Sequence, residues 1–186
     1  MTKLEMKRKV LALIEELNPN SEMLTDDPDI ARKHDDVMNQ VMFEMVRFKK
    51  LPGYVEIPVK AGDLIDFARI EKAGKYEVYQ LGIVRGVQVD YKAQGTIIKA
   101  LEDGVMEIDY FKYPERITES TKDSYEFELP NDVLEIMPYG IAADLLKSDI
   151  SSQYGQIYAN RYAELKQMLD PRYSMGGIYV DGGYSI

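Results

Sequence analysis

Apolar residues recur at helical spacing at Met6, Val10, Leu13, Ile14 and Leu17, and the pattern stops at Asn18-Pro19, where proline disfavours helical geometry in its predecessor. A second helix is predicted over roughly residues 28–50. Asp27 supplies a side-chain acceptor for orphan amides, Pro28 needs no donor at the first helical position, and Asp29 suits the helix dipole. Ile30, His34, Val37, Val41, Met45 and Phe48 form its apolar face, which ends ahead of Pro52-Gly53.

From residue 54 to residue 129 the period shortens to alternation. Strands are predicted at 54–59, 76–81, 87–91, 96–100, 105–113 and 125–129. Gly74-Lys75, Arg85-Gly86, Gln94-Gly95 and Glu102-Asp103-Gly104 supply turn chemistry between them. Val105, Glu107, Asp109 and Phe111 alternate with Met106, Ile108 and Tyr110, which gives one acid-bearing face and one apolar face, as in a sheet wetted on one side. After Leu129-Pro130 the helical period returns through Val133, Ile136, Ile141 and Leu145, with Asn131 or Asp132 as cap and a kink or split at Pro138. Ser151 or Ser152 is positioned to cap a last helix carrying Tyr154, Tyr158, Arg161, Tyr162, Leu165 and Leu169, which ends at Asp170-Pro171.

The order of helices, strands and helices predicts an α+β fold. Helices from residues 1–52 and 131–170 form one helical domain, residues 53–130 form an antiparallel β-sheet or sandwich insertion, and residues 171–186 form an extended C-terminal arm. Two Gly-Gly pairs in the arm bracket Ile178-Tyr179-Val180, a β-prone run too brief for a sheet of its own but suited to adding a strand to a neighbour. Tyr173, Met175, Ile178, Tyr179, Val180, Tyr184 and Ile186 are its expected contact residues, because tyrosine and aliphatic side chains favour interfaces.

Composition narrows the function. A formal charge of −9 and the lack of a basic stripe argue against a protein whose main work is gripping phosphates. With no cysteine, thiolate metal sites, disulfides and thiol nucleophiles fall away. Charge interrupts the apolar residues of Met1 to Leu17, unlike a signal peptide, and no later stretch reaches membrane-spanning length, so no membrane partner is expected. His34, the lone histidine, lies on an apolar helix face and reads as structural. Glu107 and Asp109 read as a solvated sheet face, and Asp26-Asp27-Pro28-Asp29 as helix-start chemistry rather than a calcium loop. No phosphate-binding glycine motif occurs. The chain is therefore not expected to be an enzyme, and no catalytic residue, cofactor or metal is assigned.

Fourteen tyrosines with no tryptophan are a compositional peculiarity, concentrated in the last helix and the arm. Tyr154, Tyr158 and Tyr162 fit either the core face of an amphipathic helix or an interface.

The stretch from Gly104 to Thr118, an acidic strand running into Tyr110-Phe111-Lys112-Tyr113-Pro114, is one part of a resemblance. Leu129-Pro130 leading to Ile136-Met137-Pro138-Tyr139-Gly140, the second helix opening at Thr25-Asp26-Asp27-Pro28 and the closing tyrosine-bearing helix are the others. Together these resemble head-to-tail adaptor proteins of tailed bacteriophages, of the tail tubular protein A type. The resemblance implies a virion neck or tail component, assembled in the host cytoplasm as a homo-oligomeric ring, typically dodecameric. It would join the portal protein to tail or nozzle proteins, with genomic DNA passing through an acidic channel without specific binding. The arm would engage the portal. Another neck or tail component, a small acidic protein-interaction module, and an enzyme with carboxylate chemistry are the alternative readings.

Overall fold

The structure, a computed structural model, describes residues 1–87, 89–148 and 153–169, and its fold is α+β. Helix α1 (Lys3–Leu13) opens with a capping box in which Thr2 and Glu5 satisfy each other's backbone amides. It stops earlier than the apolar spacing predicts. Glu15 takes φ 61° and the Glu16 amide reaches back to the Leu11 carbonyl at 2.9 Å, so the chain closes in a left-handed turn and Leu17 is not helical. Helix α2 (Pro28–Phe48) begins as its sequence dictates: Asp27 Oδ1 accepts from the Asp29 and Ile30 amides at 2.8 and 3.2 Å.

Strand β1 (Leu51–Val59) starts before Pro52-Gly53 rather than after it. Proline is tolerated there because β1 is an edge strand. Gly53 faces Tyr110 across the ladder, where a Cβ would lie 2.5 Å from the ring. After β2 (Leu64–Ile65) comes helix α3 (Phe67–Gly74), which the alternating reading of this region missed. Its signals are Asp66, which caps the Arg69 amide at 2.9 Å, the buried Ile70, and Lys75 in the left-handed conformation at the exit. Gly74-Lys75 thus ends a helix and is not a hairpin link.

Strand β3 (Val78–Val87) runs through Arg85-Gly86, expected as a turn, and is followed by β4 (Tyr91–Gln94), β5 (Ile97–Ala100) and β6 (Gly104–Lys112). The β3 glycines serve close approach instead of chain reversal: a Cβ on Gly82 would sit 2.9 Å from the Asp109 carbonyl oxygen, and one on Gly86 2.0 Å from that of Val89. Gln94-Gly95 does turn, with Gly95 at φ 61°. Two three-stranded antiparallel sheets result, ordered β1-β6-β3 and β2-β5-β4. Their inner faces share one core with Ile70, built from Val55, Ile57, Met106, Ile108 and Tyr110 on the first sheet and Ile65, Ile98 and Ala100 on the second.

The expected strand at 125–129 does not form. Its backbone serves the start of α1 instead: the Lys3 amide donates to the Tyr125 carbonyl at 2.8 Å and the Leu4 amide to Asp123 at 3.1 Å, leaving only a Thr2–Glu126 bridge. Helix α4 (Asn131–Leu134) has Pro130 rather than Asn131 or Asp132 at its cap position, although Asp132 Oδ1 accepts from the first-turn amide of Val133 at 3.0 Å. Pro138 opens α5 (Met137–Leu145), which splits the segment from α4. A 3₁₀ turn (Leu146–Ser148) precedes α6 (Tyr154–Met168), whose cap position is Gln153; Ser151 and Ser152 lie outside the described residues.

Helices from before and after the β segment bury one core. Met6 and Val10 of α1, Met38, Val41, Met42 and Met45 of α2, Val133 and Leu134 of α4, and Met137 and Ile141 of α5 meet there. Tyr79, Phe111 and Tyr113 join this core to the first sheet: Tyr79 stacks on Phe111 and tilts against Tyr113, at centroid distances of 6.4 and 4.9 Å, and donates to the Val46 carbonyl at 3.1 Å.

Candidate functional site

Tyr173, Met175, Ile178, Tyr179, Val180, Tyr184 and Ile186, the expected contact residues of the arm, lie outside the described residues. Helix α6, which precedes them, is described. Its inner side is tied down: Tyr162 lies 3.0 Å from Met45 Sδ and packs over Gly140, Tyr158 donates to the Leu13 carbonyl, and Lys166 pairs with Glu44. Burial pushes the Tyr162 hydroxyl pKa well above the ordinary phenol range. On the outer side Tyr154, Ile157 and Met168 are 60, 55 and 80% exposed. The tyrosines of this helix therefore divide, Tyr158 and Tyr162 to packing and Tyr154 to the surface. Beside Tyr154 runs a cleft lined by Leu13, Ile14, Leu146 and Tyr158, and a second hollow, sharing Leu13, is lined by Lys9, Glu135 and Tyr139.

His34 is fully buried and neither ring nitrogen has a hydrogen-bond partner. Burial lowers its pKa, so the imidazole is neutral at physiological pH. It has no access to a substrate. Its neighbour Asp35 accepts from the buried Lys3 Nζ at 2.8 Å. Burial works against that carboxylate, but the His34 ring, whose Nδ1 lies 3.9 Å from Oδ1 and beyond hydrogen-bond reach, and the Lys3 ammonium outweigh it and hold its pKa at about 2. Asp27 is engaged as a helix cap and Asp26 accepts from Asn18 Nδ2 at 2.7 Å. Among the described residues no three carboxylate or imidazole groups converge as a metal site.

The remaining chemistry lies on the outer faces of the two sheets. On the first, Glu56 and Glu107 stand directly opposite each other across β1 and β6, and Asp109 faces Tyr54 one pair along. Tyr54 donates to Glu56 Oε1 at 2.8 Å, and Arg85 of β3 reaches Asp109 at 3.4 Å. Exposed Tyr54, Ile83 and Val87 complete this face, at 50, 50 and 46%. Glu107 and Asp109 do share the outer face, but both are partly buried on it, the Asp109 side chain being 18% exposed beside Arg85.

The second sheet is the converse. Lys92 of β4 and Lys99 of β5 are exposed and directly opposite each other, and neither side chain forms an ion pair or hydrogen bond among the described residues. Leu64 is the next partner of Lys99 in the row, and Ile97 and Leu101 are exposed beside it. Sequence reading passed over this pair because Lys92 and Lys99 become neighbours only through the β4–β5 register. No protein-family model matches the chain, and comparison with curated proteins finds no match.

Proposed function

We propose that the chain is a structural subunit of a virion, a head-to-tail adaptor that forms a ring between portal and tail and lines the path of the DNA. The helical core would form the tube, and the β insertion would project toward tail or nozzle proteins. Helix α6 carries this reading: one side is anchored in the helical core while Tyr154, Ile157 and Met168 stand exposed just ahead of residues 170–186. An apolar helix face next to a tyrosine-rich, β-prone segment is suited to completion by another protein. The net charge of −9 accords with a channel that repels phosphates and lets a genome slide.

The test is deletion of residues 176–186. The shortened protein should keep its helical circular dichroism and lose complexes with the portal protein in negative-stain images. Portal complexes of normal abundance with the shortened protein would overturn the docking role of that segment.

A further inference from the structure

We infer that the acidic outer face of the first sheet docks on the lysine face of the second sheet in another copy of this chain. The proposal deepens the ring reading and rests on it for the closed geometry alone.

Each face carries a local penalty that a second copy would remove. Like charges directly opposite on adjacent strands repel, and the ladders of the described residues hold one such pair of each sign: Glu56 with Glu107, which has Arg85 opposite it on its other side, and Lys92 with Lys99. Arg85 is bound to Asp109 on the acidic face, and no acidic side chain pairs with either lysine on the other face among the described residues. The apolar neighbours match as well, Tyr54, Ile83 and Val87 on one face and Leu64, Ile97 and Leu101 on the other, all at least 40% exposed.

The two faces lie on the far sides of one shared core, so each copy offers both. The contact is heterologous, joining two different patches, and such contacts propagate into rings when the rotation closes. A three-stranded face spans about 14 Å by 17 Å, well short of the roughly 800 Å² per partner typical of stable complexes. The contact is therefore weak alone, sensitive to salt, and effective when repeated around a ring.

The experiment is zero-length carbodiimide crosslinking of the full chain at low salt, using a mixture of ordinary and ¹⁵N-labelled protein. Peptides joining Lys92 or Lys99 of one isotope to Glu56, Glu107 or Asp109 of the other are the expected result. Two double variants follow, Lys92→Glu with Lys99→Glu and Glu56→Lys with Glu107→Lys. Each should crosslink about tenfold less with itself, and the two should recover crosslinking when mixed, because their faces are again opposite in sign. Glu56, Lys92 and Lys99 are exposed and Glu107 is partly buried on the outer face, and unchanged thermal unfolding confirms that the variants fold.

Absence of mixed-isotope products between these residues in the wild type overturns the proposal, as does failure of the mixed variants to recover. So does self-association that survives lysine reversal while binding to a short DNA duplex is lost, since the lysine face would then belong to nucleic acid. A portal-binding protein that fails this test keeps its adaptor reading with a ring held by other surfaces, and one that passes while ignoring the portal keeps the sheet contact without the adaptor.

Discussion

Asn39 is the buried polar residue whose role is plainest. Its Nδ2 donates to the Ile117 carbonyl at 2.7 Å and its Oδ1 accepts from the Ile117 amide at 2.8 Å, so a side chain of α2 serves as backbone partner to an irregular segment. Asn39→Ala should cost about 2–4 kcal/mol, because two buried main-chain groups lose their partners together; denaturant midpoints at unchanged slope measure it. His34 supplies a pH dependence of definite sign. Its folded pKa lies below the unfolded value of 6.5, so both states are neutral above that pH and full stability is present. As pH falls below 6.5 the unfolded chain takes up a proton that the buried ring resists, and stability declines. Asp35 adds a further loss between its unfolded value of 3.8 and its folded value of about 2. Unfolding curves of wild type and His34→Leu between about pH 7.5 and pH 5 should diverge, with the variant losing less on acidification; parallel curves would remove His34 as the cause.

At the level of elements, local chemistry was readable in the sequence and pairing was not. The start of α2 followed from Asp27-Pro28 and the split before α5 from Pro138, because each depends on residues within one turn. Gly53 and Gly86 misled because glycine marks a turn and a close approach with the same letter, and the atoms approached belong to Tyr110 and Val89. Phe127 and Leu129 alternate like strand residues, yet both enter the helical core because the adjoining backbone caps α1. The lysine face was equally illegible, since a cross-strand pair needs a register that neither strand encodes alone. Two predictions follow from these elements. Gly53→Ala should destabilise by about 1–3 kcal/mol, since the added methyl meets a fully packed ring. By contrast, Ile157→Ser with Met168→Ser should leave thermal unfolding within about 0.5 kcal/mol of wild type, because both side chains are more than half exposed.

Over the whole molecule, Tyr79 is a joint between the first sheet and the helical core. It projects from β3, packs against the helical core and donates to the Val46 carbonyl, and burial holds its hydroxyl pKa at about 12. Calorimetry of the wild type should show one cooperative transition, and Tyr79→Ala, which empties the joint, should separate it into two; a single, merely lowered transition would mean that the remaining contacts couple the halves. The ladder between β1 and β6 has a wider consequence. Leu51 and Lys112, where the chain leaves the helices and returns to them, are direct partners across that ladder, only about 5 Å apart. A tight reversal such as Asn-Gly could span that gap. The outer module is thus a cassette on a narrow stem, open to wholesale replacement by recombination while the helical frame that carries it stays the same.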